Sequence, residues 1–182
     1  MNILMIIMLG IAAILAIVLI AAFFASNDYT IERAIAINKP KNDVFGYIRL
    51  LKNQEHYNKW VMTDPAMKKE YKGTDGTVGF IYSWESNNNN VGKGEQEIRK
   101  IVDGELIEQE IRFMKPFEGK SKIYMSTESI TGSQTKVNWV FSGTRNYFMK
   151  VMHLVLNLKK MLGKDLEKSL HNLKLVLEGK SS

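Results

Sequence analysis

The sequence predicts an α+β domain, an antiparallel sheet of six to seven strands closed by a long C-terminal helix, behind an N-terminal helix apolar enough to cross a membrane. Three observations predict it. Residues 3–25 carry no charge and are apolar everywhere except Gly10. From Asp28 to Ser142 the chain breaks into short segments that alternate apolar and polar residues, separated by Gly, Asn, Asp and Pro. From Tyr147 onward the period becomes helical, with Leu162, Leu166, Leu170, Leu173 and Leu177 recurring at three- and four-residue spacing. A sheet must bury its apolar face on something, and this helix carries the matching stripe.

Each element follows from its residues. A helix over residues 3–25 spans roughly 35 Å at about 1.5 Å per residue, against about 30 Å of bilayer hydrocarbon. Its Ile, Leu, Val and Phe residues together favour insertion by about 4–8 kcal/mol, with no ionisable group opposing. A cleaved signal peptide would need a basic n-region, a shorter apolar run and an A-x-A-like site. Met1-Asn2 has no basic side chain and Phe23 interrupts the small-residue pattern, so residues 1–27 are expected to be a retained transmembrane anchor and residues 28–182 a single domain. Arg33, Lys39 and Lys41, the nearest basic residues, all follow the span and tilt the domain toward the cytoplasmic side, with only the α-amino group opposing and both orientations open.

Residues 28–38 alternate as a strand with Tyr29, Ile31, Arg33, Ile35 and Ile37 on one face. Asn38-Lys39-Pro40 ends it, and Asn42 or Asp43 is placed to cap a short helix bearing Val44, Phe45 and Ile48. A second short helix is expected over residues 54–60 and a strand over 66–72. Residues 78–85 form a strand with Phe80, Tyr82 and Trp84 on one face, followed by the polar loop 87–90. Residues 93–101 and 105–114 flank Asp103-Gly104, a strong hairpin signal. With those two as the central turn residues, Ile98 faces Gln109 and Gln96 faces Ile111. Gln96 and Gln109 are then diagonal neighbours, about 7–8 Å apart, on an otherwise apolar inward face. Residues 120–130 and 134–142 form the last strand pair.

Composition excludes several function classes. Cysteine is absent, which removes disulfide, thiol and zinc-ribbon chemistry. The net charge is +6, yet acidic residues are interspersed and no aromatic-basic motif appears, so no nucleic-acid partner is expected. The lysines of the stripe Lys160, Lys164 and Lys168 suit a solvated helix face, or anionic headgroups at about 1 kcal/mol each. His153 and His171 lie on one face of the expected C-terminal helix but about 27 Å apart, and His56 stands alone beside Tyr57 and Trp60, so no metal site is readable. Glu108, Glu110 and Arg112, with Glu95, Glu97 and Arg99, alternate opposite the apolar face and read as a solvated outer surface rather than a catalytic carboxylate pair. Gly73, Gly76 and Gly79 match no phosphate-loop pattern.

The ordered segments Ile35-Ala36-Ile37-Asn38-Lys39-Pro40, Val44-Phe45-Gly46-Tyr47-Ile48, Trp60, Val78-Gly79, Tyr82-Ser83-Trp84, Gly92-Lys93-Gly94-Glu95, Val137-Asn138-Trp139 and Asp165-Leu166-Glu167 with Leu170, Leu173 and Lys174 carry a resemblance. The chain after Asp28 resembles the START-like (SRPBCC) helix-grip superfamily, in particular its bacterial polyketide cyclase/dehydrase and lipid transport group. The resemblance implies a curved sheet wrapped on the C-terminal helix, two small helices after the first strand, and a hydrophobic cavity for lipids, polyketides or isoprenoid-like molecules. It implies no shared catalytic set and no cofactor, and the N-terminal anchor is an addition to the soluble pattern. The expected ligand-binding residues are Phe80, Tyr82, Trp84, Gln96, Ile98, Gln109, Ile111, Phe113, Trp139 and Phe141. Three functions stay open: a membrane-anchored module binding a hydrophobic small molecule or lipid, an enzyme of cyclase, dehydratase or hydrolase type, and a structural or regulatory module whose core is filled.

Overall fold

A computed structural model describes residues 2–180. Helix α1 (Ile3–Phe24) holds the uncharged run and is long and apolar enough to cross a membrane. After Ala25 the backbone turns extended and strand β1 (Asp28–Ile37) begins where the alternation does. Six further strands follow: β2 (Lys68–Lys72), β3 (Ile81–Glu85), β4 (Lys93–Val102), β5 (Leu106–Lys115), β6 (Gly119–Thr131) and β7 (Gln134–Thr144). They form one antiparallel sheet in the order β1-β7-β6-β5-β4-β3-β2, so the first and last strands pair and β2 forms the far edge.

Between β1 and β2 lie α2 (Lys41–Arg49), a 3-10 segment (Leu51–His56) and α3 (Lys59–Thr63). The chain ends with α4 (Tyr147–Leu156) and α5 (Leu158–Glu178). Helix α5 lays Leu166, Leu170 and Leu173, all fully buried, against the concave face of the sheet. Gly163 leaves room for the Arg33 guanidinium, which lies where a Cβ would otherwise stand. Arg33 passes over that glycine to reach Glu167 at 2.5 Å. On the convex face Arg112 joins Glu95, Glu97 and Glu110, and Arg99 joins Glu97 and Glu110, which makes the outward charges an ion lattice.

Several local expectations need correction. Neither Asn42 nor Asp43 caps α2, because both lie inside its first turn; Pro40 takes the cap position and no side chain bonds there. The expected helix over residues 54–60 is divided into the 3-10 segment and α3, because Asn58 accepts from the Trp60 N–H at 3.0 Å and restarts the helix. The expected strand over residues 78–85 starts only at Ile81. The expected single helix from Tyr147 is broken at Asn157, which is left-handed (φ 48°), a conformation Asn tolerates better than most residues. His153 and His171 therefore sit on different helices. The Asp103-Gly104 turn has three loop residues rather than two: the Glu105 N–H donates to the Val102 carbonyl and Val102 pairs with Leu106. A bulge at Arg99 then restores the expected register, so Ile98 does face Gln109 and Gln96 does face Ile111.

Candidate functional site

The register aligns two rows of side chains across the concave face. One runs Ile31, Phe141, Ile123, Gln109, Ile98; the other runs Tyr29, Gly143, Ser121, Ile111, Gln96, Tyr82. The ten residues singled out in the sequence all lie on this face. Phe80, Tyr82, Gln96, Ile98, Gln109, Ile111, Trp139 and Phe141 are buried, and Trp84 and Phe113 are partly buried against them. The first eight pack into the core. Trp84 and Phe113 stand at one end, edge to face at 6.4 Å.

That end is shaped by Gly94, where an added Cβ would lie 2.6 Å from the Trp84 ring and 2.7 Å from the Arg112 carbonyl. Only a residue without a side chain lets the indole lie flat across the strand, with its N–H donating to the Val91 carbonyl at 3.2 Å. Clefts of about 330 Å³ beside Phe113 and Met114 and about 260 Å³ beside Trp84, Gly94 and Met114 flank it. Both clefts are lined mainly by outward-facing side chains, among them Arg112, Lys120, Ser83 and Glu85, so they lie toward the convex side at this end, and neither reaches Gln96 or Gln109.

The polar content of the core is a directed chain of amides. The Trp60 backbone N–H can only donate, which makes Asn58 Oδ1 an acceptor and leaves Asn58 Nδ2 to donate to Gln54 Oε1 at 2.8 Å. Gln54 Nε2 donates to Gln96 Oε1 at 3.3 Å, and Gln96 Nε2 donates to Gln109 Oε1. All four amides are buried. The direction set at Trp60 therefore delivers a donor, Gln109 Nε2, at the far end, and that nitrogen has no protein partner. The Tyr57 and Tyr82 hydroxyls and the Trp139 indole N–H are likewise buried without one. Burial pushes both phenols above the ordinary tyrosine range, so they stay protonated and able to donate. Each of these four groups is able to donate.

Sequence reasoning found Gln96, Gln109 and Tyr82 but missed Gln54, Asn58 and Tyr57. The 3-10 segment has no periodicity to mark an inward face. Asn58 two residues before Trp60 is a cap signal that could have been read. The histidines are not assembled: His56 Nδ1 lies 3.1 Å from the Tyr47 hydroxyl, and His153 is buried against Tyr29, its pKa lowered by burial and by Arg145. Among the described residues no group of three His, Asp or Glu side chains is placed to hold a metal ion.

No protein-family model and no curated protein matches this chain. Solved structures do resemble it. A protein of Mesorhizobium loti superposes with a TM-score of 0.61 at 13% identity, over 85% of this chain and 100% of the other. The norcoclaurine synthase of Thalictrum flavum, solved with dopamine and hydroxybenzaldehyde, gives 0.60 at 14% identity over 85% and 90%. The Aha1 dimer of Colwellia psychrerythraea gives 0.55 at 14% over 82% and 96%. At these identities the likeness concerns architecture, and with the sheet order and the α5 packing it shows that the chain after α1 has a helix-grip fold.

Proposed function

We propose that the chain is a membrane-anchored binding module that holds a hydrophobic small molecule, of lipid, isoprenoid or polyketide type, between the sheet and α5. The observation that carries this reading is the amide chain ending in an unpaired donor at Gln109. A buried donor without a partner is unfavourable by about 1–3 kcal/mol. Gln109 Nε2 and the Tyr57 and Tyr82 hydroxyls call for acceptors on an otherwise apolar face. An apolar molecule bearing a carbonyl, hydroxyl or other oxygen acceptor meets both demands, with its body along Ile98, Ile111, Phe113 and Phe141 and its tail toward Trp84.

The small aromatic ligands named for the Thalictrum flavum structure suit a grip of this kind. Amides and high-pKa phenols do not exchange protons readily near neutral pH, which favours holding a ligand over turning one over. Anchoring rests on α1, whose length and composition suit a bilayer. Native mass spectrometry of the full chain released from detergent tests the reading. A retained adduct containing oxygen and a long apolar part, depleted in Gln109→Leu, is expected. A bare protein mass from both forms, or water alone satisfying Gln109, contradicts it.

A further inference from the structure

Helix α4 is unlike the other helices of the domain. Its only charged residue is Lys150, and that side chain is buried with its ammonium on the Ala25 carbonyl at 2.8 Å. The rest is apolar on nearly every side and largely uncovered: Phe148 is 54% exposed, Val155 61% and Leu156 52%. Phe117, in the β5–β6 turn, is 52% exposed and meets Phe148 ring to ring at 6.0 Å. A continuous apolar surface of this kind marks an interaction site.

The anchor says what covers it. Helix α4 packs against the C-terminal end of α1: the Tyr147 hydroxyl donates to the Leu19 carbonyl at 2.8 Å, and Arg145 reaches the Ser26 carbonyl. Leu19 lies five residues before the end of α1, about 7 Å along the helix axis. If α1 spans a bilayer, Tyr147 and Phe148 are held at its boundary. Charge agrees. Between Glu128 and Asp165 the chain has no carboxylate, and Arg145, Lys159, Lys160 and Lys164 flank α4 with side chains that reach solvent. Such a surface suits anionic headgroups.

We propose that α4 and Phe117 lie in the headgroup–acyl boundary of the bilayer spanned by α1, which turns the Trp84–Phe113 end of the grip toward lipid. The register supports the second part. Trp84 pairs with Gly94, Gly94 with Phe113 and Phe113 with Gly119, while Ser121 pairs with Gly143 beside the Asp28–Thr144 pair. The Trp84–Phe113 end of the grip is therefore the end of the sheet from which α1 leaves. A membrane-dissolved molecule would enter without crossing water. This inference rests on the anchor reading made above.

The absence of cysteine makes the test clean, because each variant carries one thiol. Single-site variants Ile14→Cys, Phe148→Cys, Val155→Cys and Glu128→Cys of the full chain are labelled with a polarity-sensitive fluorophore and reconstituted in mixed phosphatidylcholine–phosphatidylglycerol vesicles. Depth is read with acyl-chain nitroxide lipids and with a water-soluble quencher. Expected are a position-14 label near the bilayer centre, labels at 148 and 155 about 5–10 Å below the headgroups, and a position-128 label in water. A deep position-14 label with 148 and 155 as aqueous as 128 overturns the docking of α4 while leaving the anchor standing. An aqueous position-14 label overturns both. Labels at 148 and 155 shielded from the water-soluble quencher but untouched by nitroxide lipid mean that protein covers α4, which also overturns it. Leu156→Cys replaces Val155→Cys where the urea midpoint shows that the label disturbs folding.

Discussion

Replacing Gln96 by Leu should be far more damaging than replacing Gln109 by Leu, although the two amides are hydrogen-bonded to each other and equally buried. Gln96 is the middle of the chain: its Oε1 accepts from Gln54 and its Nε2 donates to Gln109. Gln96→Leu strands Gln54 Nε2 and Gln109 Oε1, residues 2% and 1% exposed. At about 1–3 kcal/mol for each buried orphan, less what the leucine gains by burial, the loss is about 2–4 kcal/mol. Gln109→Leu strands Gln96 Nε2 but also removes the unpaired Gln109 Nε2, so the number of buried orphan donors is unchanged and the net effect stays within about 1 kcal/mol. Urea unfolding of the full chain in non-ionic detergent, followed by tryptophan emission, measures both, with unchanged m-values showing that the same surface unfolds. Equal losses for the two variants would refute the reasoning, because they would mean that Gln109 is as fully bonded as Gln96.

Three further outcomes follow from packing and charge. Leu166→Ala, at a fully buried position under α5, should cost about 2–5 kcal/mol in the same unfolding assay. Gly94→Val should displace the Trp84 ring, since the Cβ position lies 2.6 Å from it, and the displaced indole should shift its emission to the red as it meets water. The Asn38 backbone N–H, followed by Lys180 and Lys174, holds the Glu178 carboxyl down at about 2. Because folding lowers this pKa from 4.5, the carboxylate's contribution is complete above pH 4.5 and is lost as pH falls toward 2. Glu178→Gln should therefore be less stable than the wild type above pH 4.5 and match it near pH 2, as urea midpoints across that range will show.

What could be read in the sequence was whatever periodicity governs. Alternation located the strands because each has one buried face, and the leucines of α5 announced the helix that covers them. The pairing of Gln96 with Ile111 was also legible, but through two departures that offset each other: the turn holds one residue more than expected, and Arg99 bulges out to absorb it. Arg99 is exposed and its guanidinium joins Glu97 and Glu110, so its extra residue turns outward and leaves the inward alternation intact. The amide chain was only half visible. Gln54 and Gln96 are 42 residues apart, and no local pattern joins a 3-10 segment to a strand. The break at Asn157 was hidden because apolar residues continue through it, from Leu154 to Leu162. The exposed face of α4 was invisible for the same reason, since a periodic apolar stripe looks alike whether it faces a core or a membrane.

The most direct measurement of the central claim is the side-chain amide spectrum of the full chain labelled with ¹⁵N-glutamine. On adding the molecule recovered by native mass spectrometry, the Gln109 NH₂ resonances should move to the positions of a bonded amide and show contacts to ligand protons, while Gln54 and Gln96, already paired, stay near their starting positions. Gln109 resonances that do not move, or that move only with all the others, would contradict a ligand held at the end of the amide chain.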